Sequence, residues 1–255
     1  MRSQQEVKDF LEEKWNQFER PVFIEDDPIQ IPHHFTRKED IEISGFLTAT
    51  IAWGQRKTII NNAKRMMELM DNSPYTFVTQ GTNKDFKRFD AFVHRTFQPI
   101  DMQFFLKSLQ HIYLNRGGLE KQFQPYTKEE TLKHSIVRFR DSFFELPHEK
   151  RTEKHVSNPA TGASAKRINM FLRWMVRSDE REVDFGIWNS IKPSQLSCPL
   201  DVHTGNVARK LGLIKRNAND WKALEELDAH LRAFDSTDPV KYDFALFGLG
   251  VHEGF

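Results

Sequence analysis

Two side chains in this sequence have the types and the spacing for a joint chemical task, Lys166 and Asp201. Asp201 stands in SCPLDVHTGNVARKLGL (197–213). Pro199 and Leu200 lead in, Asp201 takes an N-cap position, Val202, Val207, Ala208 and Leu211 form an apolar stripe, and Gly212 ends the helix. Amide N–H groups and the dipole at a helix start favour an ionised carboxylate. Lys166 opens AKRINMFLRWMVR (165–177) behind the loop NPATGAS (158–164). The first turn of a helix disfavours a cation, and an amine has to be neutral to attack as a nucleophile. On spacing alone, a plain N-cap aspartate and a solvated basic helix also account for both residues.

The lysine helix carries more cations. At about 100° per residue, Arg173 and Arg177 fall within roughly 20° of Lys166, opposite Ile168, Phe171, Leu172 and Met175, with Trp174 and Met170 at the margin. One buried face and one cationic ridge is a pattern that can follow phosphates. Arg209, Lys210, Lys215 and Arg216 make a second basic cluster behind Asp201. His203, His33, His34 and His252 have no partner at metal-ligand spacing and read as structural or surface histidines.

The elements that must position these residues are helical. Ile43, Phe46, Leu47, Thr50 and Ile51 recur at helical spacing, as do Ile59 to Met70, Met102 to Tyr113, and Leu132 to Phe143. Further helices are expected at about 164–177, 202–211, 221–234 and 239–250. Alternation is scarce, with FVTQGT (77–82) the nearest strand-like run. The fold class is therefore all-α. No linker, repeat or low-complexity tract divides the chain, which reads as one two-lobed helical domain over 1–255.

Composition is that of an ordinary globular chain: 255 residues, 29% charged and 38% hydrophobic, with 22 Phe supplying most of the aromatics. The net charge of +1 leaves nucleic acid open, since a basic patch balanced by acidic faces gives the same total. A single cysteine, Cys198, excludes an internal disulfide and a thiolate zinc cluster. The charged N-terminus MRSQQEVKDFLEEKW is patterned as a helix rather than a secretory leader. A cytoplasmic protein, nucleoid-associated when on DNA, is the expectation.

PLDVHTGNVARKLGL resembles the segment that follows the hairpin in the helix-hairpin-helix (HhH-GPD) DNA glycosylase superfamily, where the aspartate is essential. SAKRINMFLRWMVR is similar to the lysine-bearing helix of the archaeal 8-oxoguanine DNA glycosylase branch. There the lysine precedes the aspartate by a little over thirty residues; here the separation is 35. KYDFALFGLGV (241–251) looks like that branch's C-terminal helix, with Asp243 and Phe247 at the positions that approach the flipped base. TATIAWGQRKTIINNAKRMMEL resembles the first barrel helices, with Gln55 at the position of a glutamine that enters the vacated space. The likeness covers about 40–255 and is sharpest at 164–213. As a whole the chain also looks like an uncharacterised bacterial family placed in that superfamily. Two features depart from the pattern: NPATGASAK has a single Gly162 where the hairpin has glycines two apart, and Phe247 stands where a tryptophan is usual.

The resemblance implies a glycosylase with AP-lyase activity on double-stranded DNA carrying a damaged purine such as 8-oxoguanine. Lys166 and Asp201 would be catalytic, and Asp243, Phe247, Phe244, Trp53 and Trp174 would form the base pocket. Gln55 and Arg56 would fill the gap, while Arg173, Arg177, Arg209 and Lys210 would hold phosphates. No metal or organic cofactor is implied, and a monomer is expected. A nucleic-acid-binding module that keeps the scaffold without the chemistry is the alternative, and a helical protein-interaction domain a third class.

Overall fold

The computed structural model describes residues 3–255. Helices account for the architecture, and the described residues contain no strand, only the isolated bridges His94–Phe97 and Ala163–Asp220. The helical pattern of the N-terminus is realised as Gln4–Phe18, and the first two residues of that pattern lie outside the described ones. Ser3 caps this helix with a reciprocal box, its side chain accepting from the Glu6 amide. No helix among the described residues is long and apolar enough to cross a membrane.

The chain divides into two compact units. One comprises Asp26–Gln124 and Ser135–Ser157. Its helix Lys38–Thr50 is buried along the whole of Ile41 to Thr50, so it serves as the axis of this unit. Phe46 on that axis meets Phe105, Phe139 and Phe143 at 5.4–6.0 Å between ring centres, and Phe123 stacks on Phe139 at 4.1 Å. Phenylalanine thus dominates the aromatic core of this unit. FVTQGT turns out helical within Pro74–Gln80, because Pro74 starts a helix that buries Phe77 and Val78 and Gly81 ends it.

The other unit comprises Met1–Glu25, Pro125–His134 and Asn158–Phe255. Its helices Lys166–Val176, Val202–Lys210 and Trp221–Phe234 match the periodic segments of the sequence, and Tyr242–His252 is their apolar partner. Close approach to Tyr242–His252 requires glycine. A Cβ at Gly248 would come within 2.3 Å of the Phe18 ring, and one at Gly250 within 3.0 Å of the His203 Cβ. These contacts seat Gln4–Phe18 and Val202–Lys210 against the helix that carries Asp243.

Candidate active site

Asp201 is the N-cap of Val202–Lys210, with Oδ1 accepting from the Thr204 amide at 2.9 Å. Its own carbonyl accepts from the Gly205 amide and from Asn219 Nδ2, both at 2.9 Å. Asn219 also accepts from Arg209 Nη2, whose Nε donates to the Arg216 carbonyl. The helix ends at Gly212 (φ 77°), with the Leu213 amide reaching back to the Ala208 carbonyl. Backbone and side chain of Asp201 are therefore both fixed, and Oδ2 is left to face Lys166.

Lys166 is the first residue of Lys166–Val176, behind Ala165 in the left-handed region (φ 51°). Its Nζ lies 3.9 Å from Asp201 Oδ2 and donates to Met170 Sδ at 3.7 Å. Both side chains keep about a quarter of their surface open, 26% and 23%. A half-open pair at that distance adds about 0–1 kcal/mol to stability. The fold does not depend on it.

Asp243 lies buried in the same unit, and burial pushes its carboxyl up to about 6, against the pull of Arg173; the nearby Asp201 raises it and Lys166 lowers it. Arg173 donates from Nη1 to Asp243 Oδ2 and lies 3.3 Å from Asp184. The Cys198 thiol, held up by burial and by Asp243 and Asp228, reaches Asp243 Oδ1 at 3.7 Å. Arg167, beside the lysine, is pushed down to about 10 by desolvation.

The arginines of the lysine helix correct the sequence reading. Every residue from Ile168 to Val176 is buried, on both faces, so the helix has no solvated cationic ridge. Arg173 is 4% exposed and Arg177 1%. Arg177 meets Glu19, Asp179, Asp184 and Asp238, and both guanidiniums stand over the Phe244 ring, at 4.2 and 5.5 Å. Neither arginine reaches phosphate, because carboxylates brought from elsewhere in the chain already enclose them. Phe244 is the floor beneath them rather than an open wall. Arg209 is committed in part to its own loop, while Lys210 is exposed, 5.6 Å from the Phe255 ring centre. Val202, placed on the apolar stripe by its spacing, is instead 65% exposed at the helix start.

Phe247 is half-buried one turn beyond Asp243, with Phe23 edge-on at 6.4 Å. Trp174 is fully buried and its indole N–H has no hydrogen-bond partner among the described residues. Trp53, Gln55 and Arg56 belong to the other unit. There Trp53 is edge-on to His94 and stacked on His155, Gln55 is exposed at the N-cap of Arg56–Leu69, and Arg56 opens that helix. Spacing missed Asn219, Asp184 and Glu19, since nothing near them in sequence marks their roles. No group of three or more His, Cys, Asp or Glu among the described residues is arranged to hold a metal ion.

Residues 27–252 match the DUF2400 family, described as a protein of unknown function. The chain belongs to the DUF2400 family. The match takes in Lys166, Asp201 and Asp243 and begins after the Gln4–Phe18 helix. No curated protein and no solved structure matches the chain.

Proposed function

We propose that this DUF2400 protein excises a damaged purine from double-stranded DNA and cleaves the strand through a Schiff base on Lys166. The observation that carries the reading is the 3.9 Å approach of Lys166 Nζ to Asp201 Oδ2, from two helix starts, at a place where the pair stabilises the fold little. The lysine amine attacks C1′ of the extruded nucleotide, and Asp201 takes the proton from its nitrogen once the new bond has formed. The glycosidic bond breaks, and the base leaves with the bonding electrons and gains a proton. Asp201 stabilises the positive charge developing on the sugar during that step. The C1′–O4′ bond of the sugar ring then opens, O4′ gains a proton, and the resulting iminium allows loss of a C2′ proton and expulsion of the 3′ phosphate.

The resemblance to the helix-hairpin-helix glycosylases supplies the rest. Residues 158–165 take the hairpin's place, with Gly162 (φ 92°) accepting from the Trp221 amide at 2.8 Å before the turn enters the lysine helix. The two compact units stand for the two lobes, and Asp243 with Phe247 meets the extruded base.

Borohydride trapping tests the reading. Wild type incubated with duplexes bearing a panel of purine lesions, 8-oxoguanine among them, gives a covalent adduct, and Lys166→Ala gives none. Salt-dependent duplex binding with no adduct on any lesion rejects the chemistry and leaves a DNA-binding module.

A further inference from the structure

Arg95 stands at the tip of a two-residue turn. The His94 amide donates to the Phe97 carbonyl at 2.9 Å and the Phe97 amide to the His94 carbonyl at 2.8 Å, leaving Arg95 and Thr96 between them. Arg95 has φ 54°. In such turns the positive-φ place is normally filled by Gly, Asn or Asp, because a Cβ there crowds the backbone. A long, exposed arginine is a poor choice for the fold, which is the kind of outlier that points to a use for the side chain.

The side chain is laid on a second unusual backbone. A Cβ at Gly54 (φ 104°) would come within 3.0 Å of Arg95 Nη1 and 3.3 Å of its Cδ. Gly54 has a backbone conformation that L side chains rarely adopt, and the guanidinium lies against the Trp53–Gln55 loop at that point. The turn is held there from several directions. The His94 ring bonds Asn62 Nδ2 at 2.8 Å and the Trp53 carbonyl at 3.2 Å, Gln98 Nε2 donates to the Arg95 carbonyl at 3.1 Å, and Arg151 Nη2 to the Thr96 carbonyl at 3.0 Å.

The carboxylate at the foot of the turn, Asp101, is buried and held by Arg151, Thr152 and His155. No carboxylate pairs with Arg95 among the described residues, and Lys57 is exposed three positions past Gly54. Arg56–Leu69 begins with Arg56 and Lys57 and has no acidic residue in its first turn, so two cations sit at the positive end of its dipole. Gln55, exposed between them and the glycine, adds an amide that can donate and accept.

We propose that the Arg95 turn, braced on Gly54, is a DNA-backbone contact that grips a phosphate beside the Trp53–Gln55 loop. This rests on duplex DNA being the ligand, and it needs no chemistry at Lys166. A pre-oriented guanidinium matches the two oxygens of a phosphodiester.

Arg95→Gly separates a structural role from a binding role, because the two have opposite signs. Glycine relieves the backbone, so the melting temperature stays level or rises. Binding of a fluorescein-labelled undamaged duplex, followed by anisotropy from 50 to 300 mM salt, weakens by about three- to tenfold, and the slope of log affinity against log salt falls by about one. Arg95→Lys recovers part of the affinity. Wild-type affinity and slope in Arg95→Gly overturn the inference, as does a wild type that binds no duplex. If borohydride traps nothing but Arg95→Gly still weakens salt-dependent binding, the inference stands and the glycosylase reading falls.

Discussion

Arg177 and Glu19, 158 positions apart in the sequence, meet as a buried ion pair, with 1% and 0% of their side chains exposed. Asp184 and Asp238 face the same guanidinium at 3.3 and 2.8 Å, and Asp179 at 3.0 Å. One cation therefore serves four carboxylates. Removing it leaves the cluster to Arg173, 3.3 Å from Asp184, and Arg181, 3.6 Å from Glu19. Arg177→Met should cost about 3–5 kcal/mol of stability, the range for breaking a buried pair from one side. Urea unfolding followed by tryptophan fluorescence measures it, and a loss under about 1 kcal/mol would show that water reaches the cluster.

The same crowding gives stability a pH dependence. Burial pushes Glu19 up to about 7 from 4.5, although Arg177 pulls it down, while the guanidinium itself is held charged by its carboxylates. With the folded value above the unfolded one, the native state binds more protons, so stability falls as pH rises from about 4.5 to 7. The contribution is about 3 kcal/mol at full extent. Asp243 adds the same sign between 3.8 and about 6. Thermal unfolding at pH 5 and pH 8 should show wild type less stable at pH 8, with Glu19→Gln narrowing the gap. A gap unchanged in Glu19→Gln assigns the dependence elsewhere.

Helix periodicity was enough to place Lys166 and Asp201 at adjacent helix starts, since each lies where local signals are strongest: a capping aspartate, a closing glycine, an amphipathic run. The same periodicity misplaced Arg173 and Arg177. A helical wheel shows that two cations share a face but not what covers that face. Here the cover comes from Glu19, Asp238 and Asp243, 158, 61 and 70 positions away. Asn219, which steadies the Asp201 carbonyl, is likewise a tertiary contact with no signature in NANDW. FVTQGT shows the converse limit, a run whose β-like composition yields to a proline start and a buried aromatic.

Asp201 has a cap to keep and a charge to use, and two substitutions pull these apart. Asn is as good an N-cap as Asp, so Asp201→Asn should hold the melting temperature within a few degrees. It removes the carboxylate facing Lys166, and adduct formation should drop by about a hundredfold or more. Asp201→Ala should lose the cap as well, adding a destabilisation of about 1 kcal/mol. Trapping by Asp201→Asn at the wild-type rate would reduce the residue to its cap.

Asp243 offers a separate handle on the same site. Its carboxyl titrates near 6 because burial outweighs the opposing pull of Arg173, with Asp201 acting in the same direction as burial and Lys166 against it. The Cys198 thiol stays protonated throughout that range, its own value raised by burial, so it can donate to Asp243 and does not compete with it. If Asp243 meets the extruded base as a hydrogen-bond acceptor, the ionised form is the active one. The rate of adduct formation should then rise through an inflection near pH 6 between pH 5 and 8. Asp243→Asn cannot ionise, so its profile should be flat across that window at a reduced rate. An inflection near 6 that survives in Asp243→Asn would assign the titration to another group and remove Asp243 from contact with the base.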